Sequence, residues 1–424
     1  MTAALERAAA WLDSAEARWP TVLAVIVLGG ALLRVAWAAA VPVIPISDGA
    51  AYVIYATNLI DHGVYGLEPD RPGAYWSVGM PALLAGLWWL FDTRSFVPLV
   101  ALQCVLSIAL IGQVFVLARE YFGMRAGLIA AGLIAAWPSL IMYTSLVAAE
   151  AVFLAAMLAG WIAFIHAGGP GWRGWLPWVG AGVLLGLACY IRPIALLLPI
   201  VLGATRIYAR PAAWRSLGLG AAVTLITIIA VLAPWTARNA AVLGKPVLVS
   251  TNLGPNLWMG NHPGTSGTYK PLPAWTHGMD EITRDEALKA EVVGYILEEP
   301  GAFIARTAWK AVLLHRGQTI AVVWNGEGLA PIGEIGITAL KVLASGFWYA
   351  VLIEALAGTV LLIRREGLFG AAFHPVLAGW AYLTAVHAVI VVGDRYHFPS
   401  IPVIAILAAL ALATLLAGRR DAPS

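Results

Sequence analysis

The chain alternates long apolar runs with two long polar segments. A helix needs about 20 mostly apolar residues to cross a bilayer, and ten runs approach or reach that length. They lie near residues 20–42, 97–118, 126–143, 146–166, 175–191, 193–208, 216–236, 338–363, 374–392 and 399–417. A further run at 80–91 is too short to cross comfortably. The pattern predicts an all-α polytopic membrane protein with about ten transmembrane helices, interfacial helices and two large polar loops.

The arginines indicate the orientation, because short cytoplasmic loops collect Lys and Arg. With the N-terminus inside and ten spans, twelve arginines lie on one set of short ends: Arg7, Arg18, Arg119, Arg125, Arg173, Arg206, Arg210, Arg215, Arg364, Arg365, Arg419 and Arg420. The opposite short loops hold four: Arg71, Arg94, Arg192 and Arg395. Both polar loops then lie on the periplasmic or extracellular face of the plasma membrane. A full span at 80–91 would reverse the later loops, so we interpret it as a dipping or interfacial helix.

This topology divides the chain into four parts. They are a cytoplasmic amphipathic lead-in (1–19), an N-terminal transmembrane module (20–236) containing a first outer loop (43–96), a second outer-face loop (237–335) and the C-terminal transmembrane helices (336–424). Ala38-Ala39-Ala40 resembles a signal-peptide cleavage site. The apolar run before it is much longer than the ~7–15 residues of a signal h-region, which favours a retained anchor.

Within the second loop the pattern changes along the chain. Residues 244–273 are rich in Gly, Pro and Asn and predict irregular structure. Thr283-Arg-Asp-Glu286 fits a capping box that begins a helix. Pro300 ends that helix or starts the next, and residues 301–315 form an amphipathic pattern typical of a helix lying along the membrane surface.

Composition excludes several classes of protein. Charged residues make up 12% and hydrophobic residues 61%, whereas soluble domains carry about 25% charged residues. The net charge of +3 gives no indication of nucleic-acid binding. Cys104 and Cys189 both lie in apolar runs, which argues against a disulfide or a metal cluster. The 182–186 GxxxG pattern indicates close helix packing.

Ionisable groups inside or beside a bilayer are costly, and here six gather at or near the outer edge. They are Arg34 within the first span, Asp48 after it, Glu150 at the start of the fourth, Arg192 between the fifth and sixth, Arg238 after the seventh and Arg395 before the last. Several arginines facing one site suit a phosphate. A carboxylate beside them can accept a proton from an attacking hydroxyl. The combination suggests group transfer from a membrane-embedded phosphate donor.

Structural explanations compete for most of these residues. Arg192 and Arg238 fit interfacial anchors, and Arg34 fits a counterion of Glu150 or Asp48. Glu150 could cap its own helix, and either member of Asp394-Arg395 could be a turn charge. Asp48 is the hardest to dismiss. Of the histidines, His262 and His397 lie near the proposed site.

Four ordered stretches resemble the integral-membrane glycosyltransferases of the GT-C fold, specifically glycosyltransferase family 39, which contains protein O-mannosyltransferases and lipid A aminoarabinose transferases. The stretches are Asp48-Gly-Ala-Ala-Tyr52 with its continuation to Gly79-Met-Pro81, the turn from Pro138 to Glu150, Pro234-Trp235 through Arg238-Asn239 to Gly260-Asn261, and Arg395-Tyr396. Together they span most of residues 34–400.

The resemblance implies a sugar donor on a polyprenyl phosphate and inverting transfer on the outer face, with Asp48 as the catalytic base. The acceptor is a hydroxyl of an envelope lipid, a glycan or a protein. We predict substrate binding by ten further residues: Arg34, Tyr52, Glu150, Arg192, Arg238, Asn239, Asn261, His262, Arg395 and Tyr396.

Two features depart from related enzymes. No DxD metal motif occurs, Glu68-Pro-Asp70 being the nearest pattern, so metal-independent chemistry without a cofactor is favoured and a divalent metal stays possible. A Lys-containing loop motif of the aminoarabinose-transferase branch has no counterpart we can place. The competing function is a lipid flippase or transporter without bond chemistry. Transporters often have internal repeats and polar residues near the midplane, and this chain has neither pattern.

Overall fold

The computed structural model describes residues 14–168 and 172–417. Most of the predicted lead-in, including Arg7, lies outside these residues, as do Arg419 and Arg420. The helices, labelled in chain order, are α1 (Trp19–Ala40), α2 (Asp48–His62), α3 (Gly79–Leu90), α4 (Val97–Ala135), α5 (Pro138–Met142), α6 (Glu150–His166), α7 (Leu176–Ile191), α8 (Leu198–Ala209), α9 (Trp214–Leu243), α10 (Leu253–Asn261), α11 (Glu281–Glu298), α12 (Pro300–Leu313), α13 (Ile320–Trp324), α14 (Gly333–Ala372), α15 (Pro375–Val389) and α16 (Ile401–Ala417). The described part also contains short 3₁₀ turns, a helical turn at residues 14–17 and an isolated bridge between Glu68 and Arg71.

The predicted all-α polytopic class is confirmed. In the described residues, five helices are long and apolar enough to cross a membrane: α1, α4, α9, α14 and α16. A 3₁₀ turn extends α9, α14 and α16 at the N-terminal end of each. A sixth span results if the 138–145 segment and α6, bent by 120° relative to each other, count as one. Apolar side chains cover the outside of α1, where Leu32 is 71% exposed. Such a surface fits lipid rather than water.

Helix α4 contains two of the predicted spans. Gly123 has φ 87° and interrupts the helical backbone, and the chain then folds back, because Gly127 lies against Phe115 and Arg119. The second segment ends at Ala135, earlier than the predicted 143. The sequence Trp137-Pro138 explains this end, since the residue before a proline avoids helical geometry.

The centre of the bundle is α16, in which residues 401 to 411 are all buried. It packs against α14 and α4, while α7 packs against α6 and α9. The predicted close packing at the GxxxG pattern is confirmed: a Cβ on Gly182 would lie 2.4 Å from Thr227 Cβ of α9. Helices that lack charge and carry small residues can approach in this way.

One end of the bundle contains arginines from the twelve that the sequence places on the inner short ends, within the described residues. Arg125 pairs with Glu16 before α1, and Arg206 donates to backbone oxygens at the end of α6. Arg365 donates to Thr414 near the end of α16. The two polar loops emerge from the opposite end, which contains Asp48 and Arg395. The charge separation predicted from the sequence is therefore a spatial one.

The second loop differs from its prediction in two places. Helix α10 lies within the stretch predicted to be irregular. Helix α11 begins at Glu281, and its N-cap is Asp280, whose carboxylate accepts from the backbone N–H groups of Ile282 and Thr283. The N-cap is therefore three residues earlier than the predicted capping box at Thr283. Pro300 begins α12, which is the second of the two alternatives predicted for it.

Candidate active site

Two buried ion pairs form at the end of the bundle that contains the loops. Asp48, at the start of α2, pairs with Arg395 from the segment between α15 and α16. Glu150, at the start of α6, pairs with Arg192 after α7, with Nη2 and Oε1 2.5 Å apart. Both acidic side chains are almost enclosed, Glu150 being 3% and Asp48 12% exposed. Both lie in the first turn of a helix, where the helix dipole favours a negative charge.

The two pairs belong to one site. The charge of Arg192 interacts with Glu150, Arg395, Tyr52 and Tyr396. The structure thus brings together six residues predicted from the sequence, which we call the paired-charge site: Asp48, Tyr52, Glu150, Arg192, Arg395 and Tyr396. The pKa of Tyr52 is raised above its usual value, mainly by burial and in addition by the negative charge of Asp48. This hydroxyl therefore stays protonated and can donate a hydrogen bond.

The carboxylate of Asp48 is held on one side only. Oδ2 accepts from Nη1 of Arg395, while Oδ1 accepts no hydrogen bond from the residues that the structure describes. Arg395 is itself held between aromatic rings, with its guanidinium carbon 4.8 Å from the ring centre of Trp324 and 5.2 Å from that of Tyr396. One oxygen of Asp48 is therefore fixed and the other can accept a proton.

A close backbone contact sets the position of Asp48. A Cβ on Gly49 would lie 2.7 Å from the carbonyl oxygen of Val147, so the first turn of α2 touches the turn that precedes Glu150. Ser47, the residue before the helix, has φ 51°, which is uncommon for a residue other than glycine. Strained backbone of this kind clusters at functional sites.

Arg238 and Asn239 lie apart from the paired-charge site and hold the loops. Arg238 donates to the backbone oxygens of Gly73 and Tyr65 and to the side chain of Asn239. Asn239 is fully buried and donates to the carbonyl of Val247. These hydrogen bonds already occupy the Arg238 guanidinium, so the predicted phosphate contact would have to compete with them.

Arg34 also lies apart from the site. It is fully buried in α1 and donates to the carbonyl oxygens of Gly30, Ile134 and Ala135 and to Oγ of Ser107. It makes no ion pair with Glu150 or Asp48, which was the structural alternative considered for it. Its hydrogen bonds satisfy carbonyl groups at the end of α4, which a helix terminus leaves without partners.

Asn261 and His262 belong to a neighbouring cluster around Lys310. The ammonium of Lys310 donates to Oδ1 of Asn261 at 2.9 Å and to the carbonyl of Ile390 at 2.7 Å. Asn261 donates in turn to the carbonyl of Val389. His262 stacks on the ring of Trp258 and its Nδ1 contacts the carbonyl of that residue. The cluster connects the second loop to the segment that contains Arg395.

Several residues near the site were not selected from the sequence. Trp324 contacts Arg395, and Tyr143 is buried with its hydroxyl unpartnered while the charges of Glu150 and Arg395 act on it. Tyr143 lies in the predicted apolar run 126–143 and Trp324 in the second loop, so only their aromatic character could have selected them. Asp394 accepts from the backbone N–H groups of Thr319 and Ile320, which makes it the structural member of the Asp394-Arg395 pair.

His397 has a structural role as well. It is fully buried, its Nδ1 lies 3.0 Å from the carbonyl of Leu314, and its ring stacks on Trp348. No group of three or more His, Cys, Asp or Glu residues within the described ranges is arranged to hold a metal ion.

An apolar groove lies beside the site. It has a volume of about 620 Å³ and runs between α12 and α15. Its walls include Phe303, Ala311, Trp380 and Ala388. Ala388 follows His387, whose ring stacks on Tyr396 with the centroids 5.6 Å apart. The groove wall therefore includes the residue next to His387, which contacts Tyr396 of the paired-charge site.

Comparison with known proteins gives matches among solved structures. No protein-family model and no curated protein matches the chain. The archaeal oligosaccharyltransferase AglB from Archaeoglobus fulgidus, in complex with an inhibitory peptide and a dolichol-phosphate, is 18% identical with a TM-score of 0.53, over 95% of this chain and 52% of that one. The oligosaccharyltransferase of the same organism in complex with Zn and sulfate is 17% identical with a TM-score of 0.57, over 94% and 49%.

ArnT from Cupriavidus metallidurans, bound to undecaprenyl phosphate, is 16% identical with a TM-score of 0.44, over 95% of this chain and 78% of that one. The chain spans about half the length of the oligosaccharyltransferases that it matches. At these identities the likeness concerns the arrangement of the helices, and it agrees with the fold predicted from the sequence motifs. The chain therefore has the GT-C fold of integral-membrane glycosyltransferases.

Proposed function

We propose that the chain transfers a sugar from a polyprenyl-phosphate donor to a hydroxyl group of an acceptor, with inversion at the anomeric carbon. The observation that carries this proposal is the one-sided fixation of Asp48, whose Oδ2 is held by Arg395 while Oδ1 is left to accept a proton. The GT-C fold supports glycosyl transfer as the class of reaction. A lipid donor is supported by the apolar groove between α12 and α15.

In the proposed reaction Asp48 takes the proton of the acceptor hydroxyl, and the hydroxyl oxygen forms a bond to the anomeric carbon. The bond from that carbon to the phosphate oxygen breaks, and the polyprenyl phosphate leaves with the electron pair. Fixed positive charge is most effective where negative charge develops in the transition state. Arg192 and Arg395 both belong to the site and supply such charge.

The acceptor is an envelope lipid, a glycan or a protein, and the site lies on the outer face of the plasma membrane. The distribution of arginines between the two ends of the bundle supports this orientation. A membrane-impermeant maleimide tests it. Leu67→Cys, in an exposed part of the first loop, is expected to react in intact cells, whereas Arg210→Cys reacts only after lysis. The native cysteines are buried and give little background. The reverse pattern would contradict the orientation.

The activity is tested by mass spectrometry of envelope lipids, glycans and proteins from cells with and without the chain. We expect a species heavier by one sugar unit that requires the wild-type chain and is lost with Asp48→Asn. Asp61→Asn serves as the matched control, because Asp61 lies on the same helix and its ion pair with Arg94 is exposed. Unchanged product with Asp48→Asn would refute the role of Asp48, and a transporter would produce no such species.

A further inference from the structure

The cations near the paired-charge site differ in whether they have partners. Arg192 and Arg395 each pair with a carboxylate, and Arg238 donates to two backbone carbonyls and an amide oxygen. The two ion pairs make the site electrically balanced. These three arginines therefore already use some of their donors on internal partners.

Arg284 in the first turn of α11 is different. Its guanidinium carbon lies 5.1 Å from the ring centre of Tyr75. It forms no ion pair and no hydrogen bond with the residues that the structure describes, and its buried Nε is without a partner. The neighbouring carboxylate of Glu281 interacts with the charge of Arg284 but forms no ion pair with it, and its Oε1 accepts from the backbone N–H of Ala74 at 2.6 Å. A buried donor such as this Nε is costly without a partner, and a ligand that accepts from it would remove the cost.

Aromatic rings connect Arg284 to the catalytic carboxylate. The ring of Tyr75 packs edge-on against Trp76 at 5.5 Å, and Trp76 packs edge-on against Tyr52 at 5.7 Å. Tyr52 follows Asp48 by one helical turn. Burial is the main cause of the raised pKa of Tyr75. The charge of Arg284 lowers this pKa and the charge of Asp48 raises it. Tyr75 is therefore near both, and Arg284 borders the site from the side of the second loop.

We propose that Arg284 binds a phosphate group of the substrate at the edge of the paired-charge site. This inference rests on the proposed function. The planar guanidinium matches a phosphate through two parallel hydrogen bonds, and the ring of Tyr75 holds it in place through a cation–π contact. The phosphate belongs either to the polyprenyl donor or to a phosphorylated acceptor. Both present the same chemistry to Arg284, and binding measurements separate them.

The test uses the purified full chain in lipid nanodiscs, with tryptophan fluorescence as the readout of binding. The donor arm compares undecaprenyl phosphate with undecaprenol, which lacks the phosphate. The acceptor arm compares glucose 6-phosphate with glucose. Arg284→Gln is expected to weaken one phosphate ligand about tenfold to hundredfold, as for loss of a charged hydrogen bond, and to leave its neutral counterpart unchanged. Arg284→Lys keeps the positive charge but cannot form two parallel hydrogen bonds, so its affinity for the phosphate ligand is expected to be intermediate.

Arg306→Gln is the matched control, because Arg306 also lies in the second loop and has a buried Nε without a partner. It is expected to bind both phosphates as the wild type does. A loss confined to undecaprenyl phosphate assigns the donor, and a loss confined to glucose 6-phosphate assigns the acceptor. Equal binding of both by wild type and Arg284→Gln, with thermal unfolding showing folded protein, overturns the assignment of Arg284. A wild type that binds undecaprenyl phosphate no better than undecaprenol contradicts the proposed donor itself.

Discussion

The Glu150–Arg192 pair allows the structural and the functional value of a buried charge to be measured separately. Its side chains are 3% and 15% exposed. In Glu150→Ala the guanidinium stays buried without its counterion, and removing one partner of such a pair costs about 3–5 kcal/mol. Replacing both partners, as in Glu150→Ala with Arg192→Met, removes the unpaired charge, and such double replacements are often neutral or stabilising. The double variant is therefore expected to be at least about 3–5 kcal/mol more stable than Glu150→Ala.

Turnover is expected to behave differently. If Arg192 supplies charge to the leaving phosphate, the double variant is folded but transfers little sugar, because no compensating mutation restores that charge. The assay combines thermal unfolding in detergent, followed by tryptophan fluorescence, with the mass-spectrometric measurement of product. Glu286→Ala is the control, since its pair with Lys245 is about half exposed on both sides and such pairs contribute at most about 1 kcal/mol.

Two results would refute this reasoning. A Glu150→Ala variant as stable as the control would mean that the pair is solvated in the membrane protein. A double variant with full turnover would remove Arg192 from the chemistry and leave it a structural role.

Three further predictions concern other parts of the molecule. Arg34→Met is expected to lower stability by about 1–3 kcal/mol while turnover per folded molecule, measured by product formation, stays unchanged; a turnover loss would restore Arg34 to the site. Gly49→Ala is expected to lose turnover because its Cβ would lie 2.7 Å from the Val147 oxygen, whereas Gly86→Ala, with nothing within 4 Å of its Cβ, is expected to be harmless; equal activity of the two would disprove the contact. Burial lowers the pKa of Lys310 to about 7, below its unfolded value, so the unfolded chain binds more protons above that pH. The stability of the wild type relative to Lys310→Met should therefore rise as the pH increases from 7 towards 10, and a flat difference in thermal unfolding would contradict this shift.

The sequence predicted the fold class because a bilayer imposes a strong constraint: apolar runs and arginine counts carry the topology without any knowledge of packing. It also selected the residues of the paired-charge site, since Asp48, Glu150, Arg192 and Arg395 are charges in an apolar setting. The pairing between them could not be predicted, because Asp48 and Arg395 are 347 residues apart. The assignment to glycosyltransferase family 39 stays a prediction.

Arg238 and Arg284 have partners that leave no local pattern in the sequence. Arg238 was taken for a phosphate ligand, although its hydrogen-bond acceptors are backbone oxygens of the first loop. Arg284 lay inside the apparent capping box and was not selected as a site residue. Its partner Tyr75 is in the other loop, and a cation–π contact between loops has no sequence periodicity.

The hydrogen bonds of Arg34 also constrain how the protein is made. Its acceptors in α4 are 100 and 101 residues later in the chain, and Ser107 is 73 residues later. When α1 enters the membrane, none of these groups has yet been synthesised. An arginine within a span is costly during insertion until its charge and donors are satisfied. The first helix must therefore be held by the insertion machinery, or by water at its polar face, until the end of α4 emerges and closes the contact.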